Sequence, residues 1–462
     1  LSPVFFVAEN FIQSVSLNTS FYGDNYVITK KEIFMNPFEL KVKNPEDYLE
    51  SLKDIYPTPY DKNETDPYTK TRIILAAGAE YEANWFSHQS QRTVDDPELR
   101  RKMALTRYVE KEQQQHVACL KPVNETILET TITYEQLAVD LTAEMAQKEN
   151  NFNVKKALDF ALLEDFDHLY RYADLLDMDD GVHAERLVGG YTEIMPARPT
   201  FAHHRHPFDN VKNNICGYEN NTQTILNTLI ITAAEQQTMN YYMNAAAFYK
   251  NDRGRKLYEE ISLVEEEHVT QYGSLIDTSA ELLERVLWHE YAEAYVYWSN
   301  YMTETDKKIK ALWEKNFEIE VSHLCAAREL IKQYLKKDYD EVIYNPTFPE
   351  PLSLHENVDY VRKILSETVQ YTGNLDDYEN INNLPKEHRF FTFNERINSP
   401  IKEESGHRVI TDYIENAGKD YRYEKAAHPI KTMQSREKDN VTVGIKPDAA
   451  TSTGFTPLKN AQ

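Results

Sequence analysis

Between residues 70 and 337 apolar side chains recur at intervals of three and four, and polar or Pro- and Gly-containing breaks divide this region into eight segments of helical period. They are 71–89, 97–120, 133–149 and 153–176, then 224–249, 255–275, 280–301 and 306–337. Residues 181–221, rich in Gly, Pro and His, separate the first four from the second four. Outside this region the period is weak. NPEDYLESLKDIY (44–56) reads as a short helix with Asn44 as N-cap and Pro45 in the first position. ENVDYVRKILSETVQYTG (356–373) and HRVITDYIENAG (407–418) read as short helices closed by glycine. The last 40 residues are polar and aperiodic, as expected of an extended arm or a disordered tail. The pattern predicts an all-α chain: an N-terminal arm (1–70), a first repeat (71–180), a linker (181–221), a second repeat (222–338) and a C-terminal arm or tail (339–462).

Polar residues interrupt the apolar stripes at repeated places. Glu265 and His268 share a stripe with Leu257, Ile261, Val264 and Leu275, and Glu320 and His323 share one with Ile309, Leu312, Ala327 and Leu330. A carboxylate on a buried face needs a cation, a proton or a metal ion as partner. Glu80 and Glu235, Glu135 and Glu290, and His168 and His323 are each 155 positions apart, which points to an internal duplication. Pairing His116 with His268 gives 152, read as a three-residue change of loop length.

In the second repeat the four helices would contribute Glu235, then Glu265 and His268, then Glu290 with Glu293 one turn on, then Glu320 and His323. One Glu from each of two helices and a Glu-x-x-His turn from each of the others form the ligand set of a carboxylate-bridged dimetal centre. Anionic oxygens bridge two divalent ions and offset their charge, while one imidazole per ion suits iron or manganese. A polar network in which Glu and His pair with one another is the competing reading. No Lys or Arg stands on these stripes near the glutamates, and Glu266 and Glu267 read as a solvated face.

At these residues the chain resembles the ferritin-like superfamily, and within it the rubrerythrin and bacterial di-iron or di-manganese carboxylate proteins. The resemblance is carried by helix order and by Glu235, Glu265-x-x-His268, Glu290 and Glu320-x-x-His323. It implies two tandem ferritin-like four-helix bundles, two iron or manganese ions per intact site, and redox chemistry of oxidase or peroxidase type with dioxygen or hydrogen peroxide. It departs from that pattern in two respects. Only 22 residues separate His268 from Glu290, whereas the ferritin-like bundle needs a long crossover there. Either the bundle runs up-down-up-down, or helices three and four are exchanged between repeats or between chains. There is also no rubredoxin-like pair of CxxC motifs, so an electron donor would be a separate protein.

The first repeat is altered. Gln113 precedes His116 where Glu265 precedes His268, and Asp165 precedes His168 where Glu320 precedes His323. Glu112 and Glu164 stand four positions before those histidines, so Glu80, Glu112, His116, Glu135, Asp165 and His168 form a second, weaker set of candidate ligands. His203, His204, His206 and Asp209 crowd the linker and read as a strap that hydrogen-bonds across the repeat interface. Tyr241, Tyr242, Tyr291 and Tyr295 read as core, with electron relay or hydrogen bonding at a metal as the alternative.

A formal charge of −24 argues against nucleic acid or an anionic membrane as partner. Cys119, Cys216 and Cys325 are widely spaced and form no CxxC pair, which fits a reducing compartment, so a cytoplasmic protein is expected; Cys119 and Cys325 read as core thiols. The second functional reading is a structural or assembly protein on a ferritin-like scaffold with a vestigial centre. Long arms and 31 tyrosines would suit wrapping and homo-oligomerisation.

Overall fold

Each long helix starts where the sequence supplies a capping group. In the computed structural model, which describes residues 35–418 and 420–422, Asp66 caps α1 (Pro67–Gln91) and Asp96 caps α2 (Pro97–Cys119). Thr126 and Glu129 form a capping box on α3 (Ile127–Lys148), and Asn151 caps α4 (Phe152–Asp180), which ends at Gly181 with φ +66°. Asn221, Asn251 and Asp306 cap α5 (Thr222–Phe248), α6 (Asp252–Leu275) and α8 (Lys307–Leu330). At the start of α7 (Leu282–Thr303) the Glu284 carboxylate accepts from the Glu281 backbone N–H at 2.8 Å. The starts of α5 to α8 follow those of α1 to α4 by 155 positions without exception. The repeat therefore contains no loop-length change, and the 152-residue pairing of His116 with His268 is corrected.

Sequential helices form four hairpins, α1–α2, α3–α4, α5–α6 and α7–α8. The hairpins then pair across the two repeats. Helix α1 packs on α3, α5 and α7, α3 also on α5, and α4 on α6, while α2 meets α8. Of the paths that the short α6–α7 gap left open, the packing follows exchange of helices between repeats. Every residue of α1 from Tyr68 to Glu80 is buried, as befits a helix with neighbours on all sides. Small residues allow the close approach: a Cβ added at Gly78 would lie 3.2 Å from Gln237 Nε2, which donates to Ile74 O at 3.0 Å. One continuous core of buried side chains extends from Phe38 to Ile410 and includes residues of all eight helices.

The described part of the C-terminal region lies against this helical body. Helix α9 (Val358–Thr368) and α10 (Ser405–Ala417) pack on α4, and α10 also on α6. Arg422, fully buried, donates to Asp174 Oδ1 at 2.7 Å and Glu185 Oε1 at 3.0 Å. Two expectations are revised here. The segment 44–56 forms only a 3₁₀ turn at Pro45–Tyr48, because Leu49 and Leu52 find no apolar surface and stay exposed. The pattern at 356–373 ends as a helix at Thr368, and Gly373 lies in strand β1 (Tyr371–Asn374), which pairs antiparallel with β2 (Asp377–Asn380). At 407–418 the glycine closure holds, with Gly418 at φ +79°. The expected tail beyond 422 and the first 34 residues lie outside the described residues. Among the described residues no helix is long and apolar enough to cross a membrane.

Candidate metal centres

The exchange of hairpins divides the candidate ligands between two places. Helices α3, α4, α5 and α6 bring together Glu135, Asp165, His168, Glu235, Glu265 and His268, all essentially inaccessible to solvent. Helices α1, α2, α7 and α8 bring together Glu80, Glu110, Glu290, Glu293, Glu320 and His323. Glu235, Glu265 and His268 thus do not share one ligand cluster with Glu290, Glu293, Glu320 and His323, as a self-contained second repeat would require. Asp165 and His168 of the first repeat take the second carboxylate-x-x-His position beside Glu265 and His268.

In this two-histidine cluster Glu265 lies between both imidazoles. Its Oε1 is 3.0 Å from His168 Nδ1 and its Oε2 is 3.1 Å from His268 Nδ1. Asp165 Oδ1 lies 3.2 Å and Glu235 Oε2 3.8 Å from His268 Nδ1, and Glu135 Oε1 lies 4.0 Å from His168 Nδ1. Both histidines therefore turn Nδ1 towards the carboxylates. The orientation of His268 has a cause: its Nε2 meets Glu164 Oε2 at 2.8 Å, and Glu164 accepts from Arg205 Nη1 at 2.8 Å. Arg205 comes from the linker and also pairs with Glu267 at 2.9 Å. Glu267 is thus a buried ion-pair partner and not part of a solvated face, and the cation missing from the stripes arrives from outside the helices. On the other side Tyr242 donates to Glu135 Oε1 at 2.6 Å.

The electrostatics follow from burial. Desolvation, with Glu265 and Asp165 nearby, holds the Glu135 carboxyl well above its usual range, and desolvation with Asp165 does the same for Glu235. Burial also raises Asp165. Burial opposes ionisation of Glu265 too, yet hydrogen bonds from His168 and His268 pull it down to about 2. Burial would lower His268, but Asp165, Glu164 and Glu235 hold it well above its ordinary value. Even so, both oxygens of Asp165 and Glu235, Glu135 Oε2 and His168 Nε2 make no hydrogen bond. Buried polar atoms are rarely left this way. Four carboxylates, two imidazoles and this many unsatisfied atoms fit a pair of divalent cations. The residues that would hold it are Glu135, Asp165, His168, Glu235, Glu265 and His268.

The other group of residues forms a one-histidine cluster. Its repeat partners, at 155 positions, are Glu80 for Glu235, Glu110 for Glu265, Gln113 for His268, Glu290 for Glu135, Glu320 for Asp165 and His323 for His168. Gln113 Nε2 donates to Glu320 Oε1 at 2.6 Å, and Tyr297 donates to Glu80 Oε1 at 2.6 Å. Burial and the neighbouring carboxylates hold Glu80, Glu290 and Glu293 well above the ordinary range, and burial pushes Glu110 up to about 7.

The remaining candidates lie elsewhere. Glu112 accepts from the Glu50 backbone N–H at 3.0 Å, and His116 Nε2 lies 2.8 Å from Asp54 O, so both face the strap of residues 44–56. Glu110 and Gln113 occupy the positions assigned to them. The uniform 155-residue offset contains that signal; His116 obscured it because an imidazole draws the alignment more strongly than a glutamine does. His203 meets Asp167 Oδ2 at 2.9 Å and lies 3.5 Å from Glu260, so it bridges α4 and α6, and His204 lies 3.4 Å from Glu267 on α6. Asp209 accepts from Arg389 Nε at 2.7 Å. Tyr295 donates to Glu350 O at 2.6 Å and Tyr241 to Ile127 O at 3.0 Å, away from both clusters. No protein-family model, curated protein or solved structure matches the chain significantly.

Proposed function

We propose that the chain is a dimetal-carboxylate redox protein of ferritin-like type, built as two four-helix bundles that exchange hairpins, and that its dimetal centre is the two-histidine cluster. The observation that carries this reading is the set of buried ligand atoms without hydrogen bonds around Glu265, on the doubled carboxylate-x-x-His pattern of α4 and α6. Two iron or manganese ions bound there would supply electron exchange with dioxygen or hydrogen peroxide. The chain's own part is to fix the donors. Glu265 spans the two imidazoles, Glu164 holds His268 with Nδ1 inward, and Arg205 keeps Glu164 ionised. Tyr242 keeps one Glu135 oxygen occupied and leaves the other free to bind. A separate protein would deliver electrons, in keeping with a sequence that carries no CxxC pair.

The test is metal content and its consequence. Full-length protein purified without chelator should carry near-stoichiometric iron or manganese, and Glu265→Gln should lower the metal bound here at least tenfold. Ferrous protein made without oxygen should oxidise on addition of dioxygen or peroxide faster than free ferrous ion. Absence of bound metal after anaerobic reconstitution would discard the centre and favour the scaffold reading. In the other cluster Gln113 stands where the second imidazole would be and donates to Glu320, so that cluster does not repeat the two-histidine ligand set.

A further inference from the structure

The one-histidine cluster departs from its counterpart in ways that change what it can hold. Gln113 removes one imidazole, and Glu293, whose repeat partner is Ala138, adds a carboxylate, so oxygen donors dominate. Two overlapping triads result, Glu110–Glu290–His323 and Glu290–Glu293–Glu320, each with ligand atoms within 4.8 Å of one another. His323 is fully buried, and neither ring nitrogen makes a hydrogen bond, although Nδ1 lies 3.5 Å from Glu320 and 3.8 Å from Glu290. Glu110 Oε2, Glu290 Oε2 and both Glu293 oxygens are likewise without partners. An imidazole buried among carboxylates without a hydrogen bond carries an unmet desolvation cost that a cation would remove.

The first triad also has a way in. Glu110, Glu290 and His323 line a narrow cleft of about 20 Å³ whose other walls include Phe86, Met103 and Val286, with Thr106 half-buried beside them. Glu320 and Glu80 stand behind the triad and do not line the cleft. A cation that enters there meets two carboxylates and one imidazole first, with further negative charge behind them. Carboxylate-rich sets suit manganese and magnesium better than copper or zinc, and a single imidazole favours manganese over magnesium.

We propose that Glu110, Glu290 and His323 form a second metal site, one that binds a single manganese(II) ion taken up from solution through the cleft. It stands whether or not the two-histidine cluster binds metal.

The full chain, stripped of metal, is titrated with manganese chloride while the unbound ion is followed by electron paramagnetic resonance. The expected result is a class of bound ion that Glu265→Gln retains and that Glu110→Gln weakens at least tenfold. Both variants should keep the wild-type far-ultraviolet circular dichroism, since Glu110→Gln removes charge from an overcrowded cluster; His323→Gln provides a second variant and should act alike. Thr106→Trp, which fills the cleft, should slow release to chelator at least tenfold and leave stoichiometry unchanged. Equal manganese binding by wild type and by both site variants would overturn the site. So would loss of every bound ion in Glu265→Gln alone. Wild-type release from Thr106→Trp would overturn the route.

Discussion

Individual side chains show how much of this molecule's polarity is folded inward. Glu164 and Glu267 are paired by Arg205, and Asp174 and Glu185 by Arg422, so these buried acids have cations. Among the described residues the cluster carboxylates have no Lys or Arg partner and face imidazoles instead. Asp140 is an intermediate case: it accepts from Thr192 at 2.7 Å and Tyr68 at 3.1 Å, yet burial raises its carboxyl to about 7. A folded-state value above the unfolded one means that the folded protein binds the proton more tightly. The associated stability is present in full below the ordinary value of 3.8 and is lost as pH rises through about 7. Asp140→Asn should remove this dependence. Measured by urea denaturation at pH 4 and pH 8, the stability of the variant relative to wild type should shift in its favour by up to about 4 kcal/mol across that interval. An equal difference at both pH values would show that Asp140 ionises freely in the fold.

Among the elements, α1 is the one that the others surround. Ala76, Ala77, Gly78 and Ala79 keep its girth small on every side, and at Gly78 α5 approaches closely enough for Gln237 to bond the Ile74 carbonyl. Gly78→Leu should therefore destabilise the fold by about 1–3 kcal/mol through overpacking, with about 1 kcal/mol more if the Gln237 bond is lost. Gly78→Ala should cost much less, because the gain in helix propensity of about 1 kcal/mol offsets a contact with the movable end of a side chain. Urea midpoints of the two variants decide this, and equal midpoints would refute the close contact. The same scale explains what the periodicity could and could not reveal. The eight helices were readable from their apolar period; the capping residues Asp66, Asp96, Asn151, Asn221, Asn251 and Asp306 were not singled out, although each stands just before the helix it caps. The β1–β2 hairpin was not, since its strands pair across a turn at Leu375 and Asp376 that lacks the usual Asn-Gly or Asp-Gly signal.

For the whole molecule, the exchange of hairpins makes the two halves interdependent. Each cluster draws two helices from residues 67–180 and two from residues 222–330. Neither half alone can close a core around its buried carboxylates. Chains cut within the linker, 35–210 and 211–462, should fail to fold separately and should co-purify as one complex when expressed together. Size-exclusion chromatography with circular dichroism reads both outcomes, and a stable, helical, monomeric half would contradict the exchange.

The sequence by itself determined the eight helices, the 155-residue repeat and the carboxylate and histidine positions on buried faces, because these depend on local period, capping groups and spacing along one chain. Only the tertiary structure decided which helices meet. The two repeats present nearly equivalent stripes, so a hairpin buries similar apolar surface against its own repeat or the other, and no local signal separates the two pairings. That choice moved Glu265 and His268 away from Glu320 and His323 and placed them beside Asp165 and His168. It also brought Arg205 from the linker into the core, where a buried carboxylate beside the histidine needed a positive charge.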